Sequence, residues 1–440
     1  MSDFALLSFL ILFWVCTLIF REIRFLGHLF LDGFGLFLIF WGFYFILRPF
    51  DYLVIGNFLE VKPFYLGSGV NVNEYLTKSL VCSIIGFVCF VFGYFSNIYR
   101  LFLRPVNKAL NAFTYGIARN AIASGVSLVF VALCIGLFCA SRLFVNTILL
   151  LIGLTFIAVK SQKHGPIWFI IFLIIVTSGF YYYFFVHSER RDVFKFVYLI
   201  VILKIAFDRA VGVPIRKAFL KKAIVYFFLL GGFIYLAYVC RYYSVFHHEK
   251  NLKEILLLNH LRASRFDHDQ IAYLDFPLVY DDYMFLLNTV PEKIPYIYGK
   301  TYCKFLFGFI PRSFWPDKPE TVDVLYFKTF FPYQYTAGRS RAVSMIGEMY
   351  WNFSYIGIIC GMYIMGVSIK ILDTILYSSI KNTNYVKIMF ICLLLSYILD
   401  VFRGGLFTNF AHIFVSIFLF PLIITIGTVA VEYNRSGTKN

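Results

Sequence analysis

Long runs of apolar residues, broken by short basic segments, recur from one end of this 440-residue chain to the other. A helix needs ~20 mostly apolar residues to cross the hydrocarbon core of a bilayer. Read this way, the pattern predicts eleven spans, near 4–20, 25–47, 79–95, 121–141, 143–159, 166–186, 193–207, 223–243, 345–369, 385–400 and 405–430. The seventh is short and carries Lys195 and Lys204. The first run has no basic segment before it and no small-x-small cleavage pattern ahead of Arg21 and Arg24. It therefore reads as a span and not as a secretory leader. The expected fold is an all-α polytopic membrane protein with one large extracytoplasmic loop. Its regions are an N-terminal bundle over 1–243, a cap over 244–343 and C-terminal helices over 344–440.

Composition agrees with that pattern. Hydrophobic residues make up 60% of the chain and charged residues only 15%, where a soluble domain is nearer half apolar and a quarter charged. A disordered chain, a coiled coil and a water-soluble enzyme are excluded. Lys and Arg number 40 against 24 Asp and Glu, a net charge of +16. In a membrane protein this excess points to cytoplasmic loops rather than to nucleic acid. With the N-terminus outside, seventeen Lys and Arg fall in inner segments and eight in the short outer ones, and the C-terminus lies inside. The basic stretch at 209–223 then reads as a topology signal against anionic lipid heads. The cysteines form no CxxC pair, and most sit in apolar runs, which suits small apolar filler and not a disulfide framework or a metal.

The polar chemistry is concentrated between the eighth and ninth spans. Residues 244–343 hold eleven of the 24 acids, twelve Lys or Arg, and seven of the 13 prolines. Loops this long are functional or disordered, and the aromatic content here argues against disorder. A folded outer cap with short helices is expected, with candidates at 255–265 and 322–331. No metal motif appears: His260 and His268 are eight apart, not the four apart of a helical zinc pair. There is no Gly-rich phosphate loop and no GxSxG elbow. The adjacent Asp281 and Asp282 read as a solvated turn.

Arginines beside aromatics and acids stand out: Arg262 and Arg265 in LRASRFDHDQ, Arg312 in FIPRSFWPDKPE, and Arg339 with Arg341 in AGRSRAVSMIGEMYWNF. A guanidinium matches phosphate oxygens with two parallel hydrogen bonds and keeps its charge. Arginines converging above a membrane suit a lipid diphosphate; local salt bridges with the loop's own acids are the plainer reading. Glu348 lies about one turn inside the ninth span, where an ionisable group is a functional candidate by default. Asp400 and Arg403, at the outer end of the tenth span, either pair with each other or complete the same pocket.

The segments GKTYCKFLFGFIPRSFWPDKPE (299–320) and GRSRAVSMIGEMYWNFSYIGIICGMYIMG (338–366) resemble the bacterial oligosaccharide repeat-unit polymerases of the Wzy type. In that family a stretch of the form fiPR-x-x-wP-x-KP closes a large extracytoplasmic loop, and GE-x-Y-x-NF-x-x-x-G opens the next span. Here these are Ile310, Pro311, Arg312, Trp315, Pro316, Lys318 and Pro319, then Gly347, Glu348, Tyr350, Asn352, Phe353 and Gly357. One departure is Ser354, where a glycine is common. The resemblance implies a glycosyltransferase of the inner membrane, similar to the C-type membrane class. It would transfer a growing glycan from undecaprenyl diphosphate to the non-reducing end of a new lipid-linked repeat unit, without metal or cofactor. Its partners would be the lipid-linked oligosaccharide, the bilayer, a chain-length regulator and a flippase. On that reading Arg265, Arg312, Arg339 and Arg341, with Arg403, would hold the diphosphate. The base would come from Glu348, Asp269, His268 or His260, and Trp315 and Phe314 would stack on sugars. An O-antigen ligase shares this donor and architecture. A flippase is the rival of another class, but it would show duplicated halves, and no internal repeat is visible.

Overall fold

The computed structural model describes residues 2–25, 32–55, 72–123, 190–212, 275–307, 314–315, 318–332 and 340–404. Every regular element among them is helical. They are α1 (Asp3–Phe25), α2 (Gly33–Ile55), α3 (Val72–Phe95), α4 (Tyr99–Ala123), α5 (Arg190–Ala210) and α6 (Asp275–Thr289). After these come α7 (Lys300–Phe307), α8 (Val322–Phe330), α9 (Ser344–Lys381), α10 (Tyr385–Ser396) and α11 (Ile398–Gly404). Four stretches among the described residues are long and apolar enough to cross a membrane: Asp3–Arg21, Gly33–Ile55, Tyr75–Phe95 and Ser344–Lys381. They correspond to the first, second, third and ninth expected spans. Helices also stand at the seventh and tenth positions, as α5 and α10. The expected spans at 121–141, 143–159, 166–186, 223–243 and 405–430 lie outside the described residues, apart from 121–123, which end α4. The expected helix at 322–331 is α8; the one at 255–265 lies outside the described residues.

One compact unit gathers 1–102, 266–373 and 398–411. Its core is aromatic. Trp41 is fully buried among Phe37, Phe45, Phe87 and Phe402, and Phe34 stacks on Tyr94 at 4.2 Å. Lipid is as apolar as these side chains, so hydrophobic transfer does not drive spans together; close packing does, and small residues permit it. Gly93 of α3 and Gly366 of α9 show this. A Cβ on Gly93 would collide with the Tyr363 carbonyl, and one on Gly366 with the Phe90 carbonyl. The two helices therefore cross backbone against backbone.

The start of α2 is held by carboxylates. The first N–H groups of any helix lack intrahelical partners. Here Asp373 of α9 accepts from Gly33 N at 2.6 Å and Phe34 N at 3.1 Å, and Tyr94 donates its hydroxyl to the same carboxylate at 3.0 Å. Asp32 caps the helix by accepting from Gly35 N, and Arg21 donates to it at 2.6 Å. All three charged residues are buried. The second unit, 103–265 with 374–397 and 412–440, packs α5 on α10: Phe207 stacks on Tyr385 at 4.9 Å and Lys195 lies over the Tyr397 ring.

α2 and α9 depart from regular geometry where they carry polar groups. α2 has π-helical turns at Gly42–Ile46 and Asp51–Ile55, on either side of Arg48 and Pro49. The expected span ended at 47 because Arg48 looked like loop; instead the helix runs on to Ile55 with Arg48 inside it. α9 is broken at Phe353 (φ −142, ψ 24) and Ser354 (φ 57, ψ −150). The dihedrals of Ser354 belong to a region kept almost entirely for glycine, the residue that the resemblance leads one to expect there. Beyond the break, Gly357 faces the Met349 carbonyl so closely that a Cβ has no room.

The backbone crossing makes a clear prediction. Gly366→Val forces α3 and α9 apart and costs about 1–3 kcal/mol or more. Gly86→Ala is far milder, because its nearest neighbour is the mobile end of the Ile346 side chain at 3.1 Å. Thermal melting of the detergent-purified variants checks this; equal melting temperatures would show that the helices do not cross there.

Candidate active site

α6 runs beside α3 inside the first unit. Ser79 and Tyr280 share a hydrogen bond at 2.8 Å, Tyr283 donates to the Ser79 carbonyl at 3.0 Å, and Asn288 donates to the Tyr75 carbonyl at 3.0 Å. Lys78 of α3 donates to the carbonyls of Leu287 and Val290, at the end of α6 where carbonyls lack intrahelical partners. This packing buries the middle of α6, which holds Asp281 and Asp282, 0% and 1% exposed. The solvated turn expected for the pair is corrected: both acids sit on a packed helix. Each meets an arginine in this dry setting, and consecutive helical positions point about 100° apart, so the arginines differ.

Asp281 meets Arg48 of α2. The guanidinium holds the carboxylate with two bonds, Nε to Oδ1 at 3.2 Å and Nη2 to Oδ2 at 3.1 Å, and donates to Asp51 at 2.5 Å. Tyr52 accepts from Arg48 at 2.9 Å, donates to Asp281 at 2.8 Å, and lies with its ring 4.1 Å from the guanidinium carbon. Asp282 meets Arg341, whose Nε donates at 2.6 Å. Tyr326 of α8 donates its hydroxyl to the other oxygen of Asp282 at 3.1 Å. Burial, then the Asp282 charge, pushes the Tyr326 phenol well above its ordinary value, so it remains a donor. The Arg341 backbone N–H donates to the Asp323 carbonyl, and its guanidinium lies over the Phe331 ring. Arg48 is completely enclosed, whereas the Arg341 side chain is 16% exposed. Arg341 is thus the clamped arginine that also reaches the surface.

Glu348 is on the half-helix of α9 that precedes the break, and it is 1% exposed. Its carboxylate accepts from the Thr301 hydroxyl of α7 at 2.8 Å. Asn352 donates to the Thr301 oxygen at 2.9 Å and to the Glu348 carbonyl at 2.8 Å. Burial, and then the Glu348 charge, pushes the Tyr302 phenol up. The segment 290–299 grips the same half-helix. Trp351 Nε1 donates to the Pro295 carbonyl at 3.2 Å, Ile297 N to the Trp351 carbonyl at 3.1 Å, and the Tyr296 hydroxyl to Ser354 Oγ at 3.0 Å. Asp400 and Arg403 lie on α11, with Asp400 buried and Arg403 partly exposed. The next residue, Gly404, has the Asp323 carboxylate directly over it.

The structure therefore brings Arg341 and Glu348 into one unit with Arg403, beside Asp281 and Asp282, expected in a solvated turn, and beside Arg48, Asp51, Tyr52, Tyr326 and Thr301, for which the sequence suggested no role in the site. A signal for Arg48 and Asp51 was present, since both interrupt an otherwise apolar run, FYFILRPFDYLVI. Phe314 is 84% exposed and Trp315 partly so. Asp269, His268, His260, Arg265, Arg312 and Arg339 lie outside the described residues. Among those described, no group of three or more His, Cys, Asp or Glu could hold a metal ion.

Comparison with known families bears on the stretch that holds most of this site. Residues 278–435 match the family model of the O-antigen polysaccharide polymerase Wzy. The match supports a Wzy-type polymerase, and with it a glycosyltransferase-like activity on lipid-linked oligosaccharide in the inner membrane. It begins within α6 and includes Asp281, Asp282, Arg341, Glu348 and Arg403; Arg48 lies outside it. No curated protein and no solved structure matches the chain.

Two predictions concern how this site is held. Arg48→Met leaves Asp281 and Asp51 buried without their cation and costs about 3–5 kcal/mol. Asp281→Leu then does less harm in the Arg48→Met background than alone, with a coupling of about 1–3 kcal/mol in a double-mutant cycle of thermal unfolding; strictly additive losses would mean that the pair does not interact. At the helix break, Ser354→Gly relieves a backbone cost of about 1–3 kcal/mol and gives up one hydrogen bond worth about 1 kcal/mol. It melts at or above the wild type, while Ser354→Val, whose branched side chain resists positive φ, melts below it.

Proposed function

We propose that the protein is a polymerase of surface polysaccharide, O-antigen or capsule. It transfers a growing glycan from undecaprenyl diphosphate to the non-reducing end of a new lipid-linked repeat unit at the outer face of the membrane. The N-terminus lies outside, the C-terminus lies inside, and residues 244–343 cap the outer face. The observation that carries this reading is Arg341: it lies in the matched stretch, is fixed through Nε by buried Asp282, and is partly exposed.

Cleaving a glycosyl diphosphate builds negative charge on the departing phosphate, and preorganised cations lower the barrier. An arginine anchored at Nε has its guanidinium plane set before substrate arrives, so little ordering remains to be done on binding. Arg403 adds a second partly exposed cation in the same unit, and Arg265, Arg312 and Arg339 supply the remainder of the clamp. These cations do the work without a metal. The acceptor hydroxyl must lose a proton, and a base must come within hydrogen-bond reach of it. Glu348 is the first candidate for that part, with Asp269, His268 and His260 as the others. With Thr301 in place Glu348 is covered, so it acts as base only once α7 moves off it. Trp315 and Phe314 offer exposed aromatic faces to sugars. A chain-length regulator and a flippase are the protein partners this activity calls for.

Complementation of a deletion strain, read as the glycan ladder on a gel, tests the assignment. Wild type restores the ladder. Arg341→Lys keeps a charge opposite Asp282 but loses the planar fork, and at normal protein level it reduces the ladder at least a hundredfold. Arg312→Ala and Glu348→Gln do the same. A deletion strain that retains a single capped repeat unit identifies a polymerase; loss of even that unit points to ligation or translocation and refutes the proposal.

A further inference from the structure

α4 plays no part in the site just described, yet it has an unusual surface. Residues 96–98 turn the chain out of α3, and α4 then runs for 25 residues, Tyr99–Ala123. It is not one of the stretches apolar enough to cross a membrane. At about 100° per residue, Arg100, Arg104 and Lys108 fall within one arc of about 80°. Phe102, Leu103, Val106 and Leu110 fall on the opposite arc, with Leu101 just beyond the basic one.

The basic arc is open, and on the apolar arc Phe102 and Val106 are exposed while Leu103 and Leu110 are half-buried. Arg100, Arg104 and Lys108 are exposed, and no acid among the described residues pairs with them. Phe102 is 51% and Val106 40% exposed. The chain has no Asp or Glu at all between Glu74 and Glu189, while it has eight Lys or Arg there. The apolar exposure continues from the span: Phe92, Phe95 and Ile98, all exposed, lead from the end of α3 to the start of α4. Lys370 of α9 rests over the rings of Tyr94 and Tyr99, adding a further cation at the same end of the bundle.

A helix with Lys and Arg on one face and large apolar residues on the other lies in the plane of a bilayer interface, its apolar side among the acyl chains. We propose that α4 is such a helix. It lies on the inner leaflet and binds anionic phospholipid headgroups through Arg100, Arg104 and Lys108, with Phe102 and Val106 set among the chains. The occupant is a lipid and not a soluble phosphate because the apolar arc must be covered too, and because it continues the lipid-facing surface of α3. The proposal rests on reading α3 as a span with its C-terminal end inside. It does not rest on the polymerase reading, and its test uses no activity.

The test uses the full chain, purified in detergent and stripped of lipid. Fluorescent-tailed phosphatidylglycerol is titrated into wild type and into the variant Arg100→Gln, Arg104→Gln, Lys108→Gln. Each basic residue near an anionic surface is worth about fivefold in affinity. The variant should therefore bind roughly a hundredfold more weakly, with binding of the matching phosphatidylcholine unchanged. Glycerol phosphate, which has the head chemistry without chains, should not compete. In parallel, a photo-crosslinking amino acid replaces Val106 in an otherwise wild-type chain in native membranes, and should form a phospholipid adduct detectable by mass. Equal phosphatidylglycerol affinity in a variant that elutes and melts like wild type overturns the proposal. So does competition by glycerol phosphate, or a Val106 crosslink to protein, including a second copy of the chain. Should the triple variant fail to fold, the Val106 crosslink alone decides.

Discussion

Two adjacent acids on one helix, each buried and each met by a different arginine, are the constraint on which the rest of the site depends. Asp281 and Asp282 sit where a charge is costly to bury. Asp281 is neutralised by Arg48 from α2, and Asp282 by Arg341 from just ahead of α9. Because a lone charge left in this interior is so unfavourable, α2, α6 and the start of α9 have to come together as a set. The tyrosines complete the arrangement: Tyr52 and Tyr326 satisfy carboxylate oxygens that the arginines leave over.

That constraint also distributes roles. Arg48 is sealed in and serves the fold. Arg341 is anchored by the same kind of contact through its Nε, but its side chain stays 16% exposed. The broken helix works toward the same end. By stopping at Phe353–Ser354, α9 sets a short half-helix carrying Glu348 under α7 and the 290–299 segment, apart from the continuous span that follows. A backbone conformation normally left to glycine is tolerated there, with Tyr296 bonded to the serine that adopts it. Strain held at such a point marks a place where geometry matters more than local stability.

The other end of the same unit uses related chemistry for a different purpose. Asp373 and Asp32 hold the first N–H groups of α2, and Arg21 is buried against Asp32. Between these polar ends the helices touch through stacked rings and through glycines that let α3 and α9 meet at the backbone. Just past α3, α4 presents charge and apolar surface on opposite arcs, as expected of a chain segment that meets the membrane from the side instead of crossing it.

The sequence by itself determined the class of fold, because apolar runs of span length have few stable alternatives in lipid. It also singled out Glu348 and Arg341, since an ionisable group at the opening of an apolar run is conspicuous without any structure. It did not mark the break in α9, for the expected span ran unbroken from 345 to 369. Tertiary structure alone decided that Asp281 and Asp282 are buried and that Arg48 belongs with them. The partner of Asp281 is 233 residues away in the chain, and no local pattern encodes a contact at that distance. A pair of acids reads as solvated until packing against α3 removes the water and an arginine from another helix takes its place.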